Sequence, residues 1–295
     1  MAAHSSMVEA SPVARTRPEA GYEDNGYLIV PEVLDPALLE GARAESLAIC
    51  RGERGRIDGV IQASPHENDL SVLRRYLCIH FPHKISRLAR DIARLPTVVE
   101  PLTRVIGPNV KMMQSMLFIK SEGKPGQAWH QDETHIPTRD RSLTAVWIAL
   151  DDATVENGCL WVIPGSHRAG VLYPDKEQND PRFDCTREAY GFRYREEDAV
   201  PVELAAGSGL IFSGYLLHRS LPNSGRHGLR RALVNHYMSA ESLLPWFPPA
   251  GGEPMGTVDH RDVMLVAGED PYAGKGIEDL MRPHVRPDGQ GGCIR

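Results

Sequence analysis

The sequence predicts an α+β protein that is mainly β, with a double-stranded β-helix (jelly roll, cupin-like) core and flanking N-terminal helices. Three observations support this prediction. Helical patterns cluster in the first third of the chain, short glycine-punctuated strand patterns follow, and no internal repeat is visible. With 295 residues, of which 41% are hydrophobic and 24% charged, the chain is long enough to bury one large core.

The first elements are a strand, a helix and a loop. Residues 26–30 are apolar and form the expected strand. Asp35 before Pro36 is a typical helix start, because it offers an N-cap followed by proline at the first helical position. Residues 51–68 are polar and glycine-rich, which predicts a long loop of the kind that often borders an active site.

Two further helices are expected before residue 110. One has apolar residues at helical spacing, namely Ile85, Leu88, Ala89 and Ile92. The other begins at a capping box formed by Thr97 and Glu100, and it is expected to end near Gly107.

Strand patterns fill the rest of the core. The predicted strands are 111–120, 143–150, 160–163, two within 202–212, one ending at His218, and 230–238. Strand 111–120 is expected to be buried on both faces. Residues 173–198 are a polar insertion between strands, which is typical of a lid or of a tolerated surface loop.

The chain is expected to form one domain over residues 21–295 after a disordered leader at 1–20, which lacks the apolar region of a secretory signal. No apolar run is long enough to span a bilayer. The five cysteines are odd in number and widely spaced, which favours a reducing compartment and predicts a cytoplasmic protein. A net charge of -6 offers no basic face for nucleic acid or for an anionic membrane, and the oligomeric state stays open.

A candidate metal site follows the first long strand. His130 and Asp132 are two residues apart, so their side chains leave the same face of an extended backbone. Two histidines and one carboxylate form the facial arrangement that suits non-haem Fe(II). His260 and Asp262 have the same spacing, but they follow a Pro- and Gly-rich stretch without a strand pattern. His218 is the candidate third ligand, because a jelly roll brings distant strands together at one mouth, although a lone histidine is more often structural.

Three segments carry a resemblance to a known family. They are Trp-His-Gln-Asp at 129–132, the run 146–167 that ends in Pro-Gly-Ser-His, and His-Arg-Ser-Leu-Pro-Asn at 218–223 followed by Arg-Arg-Ala at 230–232. Together they resemble the phytanoyl-CoA dioxygenase family of Fe(II)/2-oxoglutarate-dependent oxygenases, over roughly residues 26–238. The resemblance implies an iron held by His130, Asp132 and His218, with 2-oxoglutarate and O2 as co-substrates.

The resemblance also implies the contacts of 2-oxoglutarate. Arg230 is expected to bind its far carboxylate through the planar fork of the guanidinium. Arg231 would face the other side of the strand, so an error of one residue would exchange the two roles. Further contacts carry over onto Met116, Trp147, Ser220 and Lys84, of which the first two would be core residues in any β-sandwich.

The expected activity is hydroxylation of an unactivated C–H bond in a small organic substrate, with release of succinate and CO2. The substrate would be a natural-product intermediate or an acyl or amino-acid-like compound. The intact Asp132 argues against halogenation, since the related halogenases replace this carboxylate with a small residue. Desaturation and cyclisation stay open, as do two other classes of protein: a non-catalytic or zinc-binding cupin-like protein, and a cupin isomerase or hydrolase.

The candidate substrate contacts are Gln114, His135 and the segments 51–68 and 173–198. Within the first segment, a basic cleft for the phosphates of coenzyme A is one interpretation of Arg51, Arg54 and Arg56. Solvated loop charge is the other, and the more common one for such a run.

Overall fold

The fold is taken from a computed structural model, which describes residues 18–244, 263–277, 279 and 281–286. The helices in these residues are α1 (Pro18–Asn25), α2 (Pro36–Cys50), α3 (Asp69–Leu73), α4 (Arg87–Ile92), α5 (Pro96–Val105) and α6 (Asp132–His135). The strands are β1 (Tyr27–Val30), β2 (Cys78–His80), β3 (Val110–Lys120), β4 (Gln127–His130), β5 (Thr144–Ala149), β6 (Leu160–Val162), β7 (Asp175–Lys176), β8 (Glu188–Ala189), β9 (Val200–Val202), β10 (Gly209–Ser213), β11 (His218–Ser220), β12 (Arg230–Ser239), β13 (Met264–Ala267) and β14 (His284–Val285).

Two antiparallel sheets form the body of the protein. The larger sheet has the order β1-β10-β5-β12-β3-β2-β14, and β13 also pairs with β3. The smaller sheet has the order β4-β11-β6-β9, and β7 pairs with β8 in a separate ribbon. Because strands distant in sequence are neighbours in both sheets, this is the predicted double-stranded β-helix.

Side chains on the larger sheet alternate between two cores. On β5, Trp147 packs between the two sheets, whereas Val146 and Ile148 belong to the core shared with the helices. The helix side also buries Ile49 of α2, and burial of a side chain of this size contributes about 1.5–3 kcal/mol. The side between the sheets holds the pocket described below.

The helix predictions are confirmed in part. The side chain of Asp35 accepts a hydrogen bond from Leu38 N at 2.8 Å, so α2 begins as expected. The capping box at Thr97 is wrong, because α5 already begins at Pro96 with Leu95 as its N-cap. The hydroxyl of Thr97 donates instead to Val33 O at 2.9 Å.

The ends of the chain differ from expectation in one respect. Residues 18–20 belong to α1 rather than to a disordered leader, and residues 1–17 lie outside the described part. His260 and Asp262, the alternative motif, also lie outside it. In the described residues, no helix combines the length and the apolar character needed to cross a membrane.

The cysteines agree only in part with the expectation of a reducing compartment. Cys50, Cys78 and Cys159 are free and buried. Cys185 is disulfide-bonded, which the cysteine spacing did not indicate. Burial raises the pKa of each free thiol, to about 12 for Cys50 and Cys78 and to about 11 for Cys159, so these thiols are inert.

Candidate metal centre

The three predicted ligands meet where β4 pairs with β11. His130 is the last residue of β4 and Asp132 the first of α6, and the extended backbone of Gln131 between them (φ -126, ψ 129) keeps both side chains on one side. His218 lies directly opposite His130 in the antiparallel pair. The expectation that His218 ends a strand is wrong, since it begins β11.

The ligand atoms are close enough to share one ion. Asp132 Oδ1 lies 3.7 Å from His130 Nε2 and 3.6 Å from His218 Nε2. All three ligand atoms lie within 4.8 Å of one another, and among the described residues this is the one group of histidine, cysteine or acidic side chains close enough to hold a metal. Two imidazoles and a carboxylate on one side of an ion leave its other positions open.

Both histidines are fixed in the tautomer that a metal requires. His130 Nδ1 donates to Ala128 O at 2.7 Å, and His218 Nδ1 donates to Leu216 O at 3.0 Å. Each Nε2 therefore presents its lone pair to the centre. Burial, together with the neighbouring His218, lowers the pKa of His130 well below its ordinary value, which keeps this imidazole neutral.

A fourth side chain, His236, orients the carboxylate. His236 Nε2 lies 3.2 Å from Asp132 Oδ2, the oxygen that faces away from the two histidines. Burial alone would raise the pKa of Asp132. The nearby His218 and the hydrogen bond from His236 outweigh this effect and lower the pKa, so the carboxylate is ionised. His236 was not among the predicted site residues, although period-two alternation along β12 puts it on the same face as Arg230.

Gln131 supports the centre from the opposite side. Its Nε2 donates to Tyr215 O at 2.7 Å and to Val171 O at 2.9 Å, and its Oε1 accepts from Tyr173 N at 2.9 Å. The side chain is buried, with 1% of its surface exposed. It thus connects the ligand strand both to the turn before His218 and to the start of the 173–198 insertion.

The centre opens into a pocket of about 560 Å³ between the two sheets. Its lining includes two predicted 2-oxoglutarate contacts, Met116 and Trp147, and two predicted substrate contacts, Gln114 and His135. No residue of 51–68 lines it. The basic residues of that loop are paired with carboxylates instead: Arg51 with Glu53 and Asp69, Arg54 with Glu45, and Arg56 with Asp58.

Arg230 and Arg231 point in opposite directions. Arg230 lines the pocket, with its guanidinium 5.3 Å from the centre of the Trp147 ring and Nη2 donating to Gly158 O at 2.9 Å. It has no carboxylate partner among the described residues, and its Nε has no hydrogen bond. Arg231 instead forms a two-pronged ion pair with Asp151, at 2.8 Å for both Nε and Nη2.

Two of the predicted co-substrate contacts lie outside the pocket lining. The hydroxyl of Ser220 accepts from Lys120 Nζ at 2.9 Å and from Gln127 N at 3.2 Å. Lys84 pairs with Asp279 and also donates to Met281 O. Their contact with 2-oxoglutarate stays a prediction.

The 173–198 insertion contributes a wall of the pocket. It contains β7, β8 and a short 3₁₀ helix at Glu196–Asp198, and its Thr186 and Arg187 line the pocket. Arg187 is paired with Asp175 within the same segment. The position agrees with a lid, and closure stays a prediction.

The donor set fits the implied cofactors. Two imidazoles and an ionised carboxylate, each held by a neighbouring group, match Fe(II) and leave coordination positions free. The buried guanidinium of Arg230, which contacts no acid among the residues that the structure covers, fits the far carboxylate of a 2-oxo dicarboxylate. Burial lowers the pKa of Arg230 to about 10, so the side chain remains charged at neutral pH.

Solved structures share the fold. A structure described as "non-heme monooxygenase; ThoJ apo" superposes with a TM-score of 0.65 at 22% identity, over 91% of this chain and 87% of the other. The epimerase SnoN, solved with Fe3+, alpha ketoglutarate and nogalamycin RO, gives a TM-score of 0.60 at 20% identity, over 89% and 98% of the two chains. At these identities the likeness concerns the fold.

Sequence comparisons identify the family. A phytanoyl-CoA dioxygenase of Arabidopsis thaliana is 40% identical over 114 residues, which are 38% of this chain and 39% of that protein. The peroxisomal phytanoyl-CoA dioxygenase of Homo sapiens is 26% identical over 235 residues, or 75% and 67% of the two chains. The first of these alignments spans well under two thirds of the relative's length.

The family model for phytanoyl-CoA dioxygenase (PhyH) matches residues 22–232, which include all three candidate ligands and Arg230. The predicted cofactors, Fe(II), 2-oxoglutarate and O2, are those of this family of non-haem oxygenases. The chain belongs to the phytanoyl-CoA dioxygenase family.

Proposed function

We propose that this protein is an Fe(II)/2-oxoglutarate-dependent dioxygenase that hydroxylates an unactivated C–H bond of a small organic substrate. The substrate is a natural-product intermediate or an acyl or amino-acid-like compound. One observation supports the proposal most strongly: the His130, Asp132 and His218 cluster opens into the same pocket as Arg230, a buried cation that contacts no acid in the part of the chain that the structure describes.

Each residue of the centre has a defined task. His130 and His218 present Nε2 to the iron because both Nδ1–H groups are committed to backbone carbonyls. Asp132 supplies Oδ1, while His236 holds its Oδ2. These side chains would hold Fe(II), which would supply the redox chemistry that converts 2-oxoglutarate and O2 to succinate and CO2 while one oxygen atom enters the substrate.

The rest of the pocket binds the two organic substrates. Arg230, steadied by the Trp147 ring and by Gly158 O, takes the far carboxylate of 2-oxoglutarate. Gln114 and His135 line the same pocket, and the His135 ring lies 6.2 Å from that of His130. These two side chains are placed to hydrogen-bond a substrate held beside the iron.

The proposal is tested first by binding and then by turnover. Anaerobic protein loaded with Fe(II) should develop a visible charge-transfer absorption when 2-oxoglutarate is added. With O2 and a panel of small metabolites, a substrate should raise succinate formation and gain one oxygen atom. A product that only loses two hydrogens would indicate desaturation or ring closure instead of hydroxylation.

His130→Ala should abolish the absorption band, because it removes a ligand. His260→Ala is the matched control, since His260 has the same spacing to an aspartate. Equal loss in both variants would refute the assignment of the centre. Failure of the wild-type protein to bind 2-oxoglutarate would favour a zinc-binding or non-catalytic protein.

A further inference from the structure

Lys120 is a second buried cation beside Arg230. The two residues face each other in the register of β3 and β12, and each is 2% exposed. Both donate a hydrogen bond to the same acceptor, Gly158 O, at 2.9 Å from Arg230 Nη2 and 3.5 Å from Lys120 Nζ. Like charges this close in a buried site repel each other unless an anion offsets them.

The surroundings of Lys120 suit an ammonium rather than a neutral amine. Its Nζ has three oxygen acceptors, Ser220 Oγ at 2.9 Å, Leu221 O at 2.7 Å and Gly158 O. Three donors therefore meet three acceptors, all of them uncharged. No carboxylate pairs with Lys120 among the described residues. Asp184 is the acid whose charge acts most on Lys120, but it already pairs with Arg286.

The position of Gly158 is also fixed. A Cβ there would lie 2.3 Å from Leu221 O and 3.0 Å from Lys120 Nζ, so only glycine allows this approach. The turn before it is held by Asn157, whose Oδ1 accepts from Thr154 N at 2.8 Å. The carbonyl that both cations share is therefore presented by a rigid turn.

We propose that Lys120 is a positioning residue of the 2-oxoglutarate subsite, where it fixes Ser220 and the Gly158 carbonyl behind Arg230 and supplies a second positive charge for the far carboxylate. The inference rests on the proposed function. It explains two observations together. Ser220, which was expected to contact the co-substrate, accepts a hydrogen bond from Lys120, and two buried cations share the uncharged carbonyl of Gly158. Lys120 acts through Ser220 and the Gly158 carbonyl, because it does not line the pocket itself.

The test compares two 2-oxo acids. Fe(II)-loaded protein under anaerobic conditions is titrated with 2-oxoglutarate and with 2-oxovalerate, which has the same chain length but no far carboxylate. The measured quantity is the ratio of the two dissociation constants. Lys120→Met should lower the preference for 2-oxoglutarate by about tenfold or more, because a charge that acts on the far carboxylate affects only one of the ligands.

Two further variants complete the experiment. Lys120→Gln keeps hydrogen-bond donors but lacks the charge, and it should lose the preference as well; it also serves if the methionine variant does not fold. Lys111→Met is the matched control, because Lys111 is buried on the same strand but pairs with Asp270 at 3.6 Å. Its ratio should stay within about twofold of the wild-type ratio.

The outcomes separate the inference from the proposed function. If the wild-type protein binds neither acid, the proposed function fails. If it prefers 2-oxoglutarate and both Lys120 variants keep that preference, or lose affinity for the two acids equally, Lys120 has only a structural role and the inference is overturned.

Discussion

Buried cations on the two faces of the central strands β3 and β12 have different kinds of partner. Towards the helices, Arg231 is neutralised by Asp151 through two hydrogen bonds. Towards the pocket, Arg230 and Lys120 have neutral acceptors and no acid partner within the described parts of the chain. A buried charge without an acid costs free energy that the fold alone does not recover. The pocket face therefore suits an anionic ligand, as proposed above, whereas the cation on the helix face is already paired.

The largest expected effect is the difference between substitutions of the two neighbouring arginines, Arg230 and Arg231. Arg230→Met should weaken 2-oxoglutarate binding by about 100-fold, because it removes the charge that faces the far carboxylate. Arg231→Met should leave binding unchanged but destabilise the fold by about 1–3 kcal/mol, because the largely buried Asp151 loses both side-chain hydrogen bonds from Arg231, while its longer ion pair with Arg43 remains. Anaerobic titration and denaturant unfolding measure the two effects.

The contrast between the two faces would be refuted by the opposite result. Loss of 2-oxoglutarate binding in Arg231→Met, with normal binding in Arg230→Met, would mean that the co-substrate lies on the other side of the sheet.

An intermediate effect is expected at His236, which belongs to the pocket face of β12 but contacts a metal ligand. His236→Phe should weaken metal binding about 10- to 100-fold, because Asp132 loses the hydrogen bond that orients it. Titration with Fe(II) or Co(II) measures this affinity directly. His83→Phe is the control, since His83 is equally buried but bonds to Ser115 Oγ at 2.6 Å. Equal weakening in both variants would assign His236 a general packing role.

The smallest expected effect is a pH dependence. Burial, and then the charge of Arg230, lower the pKa of Lys120 well below its ordinary value, whereas Asp184 and Cys159 act in the opposite direction. Lys120 loses its charge as the pH rises through this lowered pKa, so 2-oxoglutarate affinity should fall with increasing pH, by at most about tenfold per unit.

Cys159 does not add to this slope near neutral pH, because burial raises the pKa of its thiol to about 11. Lys120→Met should therefore flatten the dependence. Calorimetry in buffers of different ionisation enthalpy should show proton uptake on binding in the wild-type protein only. An unchanged slope in the variant would mean that another group titrates.

The sequence was sufficient for the parts of the site that depend on local spacing. The two-residue step from His130 to Asp132 holds because Gln131 is extended, and period-two alternation puts Arg230 and Arg231 on opposite faces. The order of helices and strands predicted the jelly roll for the same reason, since hydrophobic periodicity is local.

What sequence analysis missed depends on contacts between distant segments. Lys120 was expected in a strand buried on both faces, but its hydrogen-bond partners could not be predicted, because Gly158, Ser220 and Leu221 come from distant segments. The loop 51–68 was expected at the active site because of its composition, but its arginines pair locally and none of it lines the pocket. Composition indicates a loop without indicating where it packs.

Gln131 connects the 173–198 insertion to the candidate metal centre. Its amide group holds the backbone of Tyr173, where the insertion starts, and that of Tyr215, three residues before His218. Movement of Tyr173, the first residue of the insertion, would therefore break its hydrogen bond to Gln131, which lies between His130 and Asp132. A single amide group thus links the wall of the pocket to the candidate metal centre.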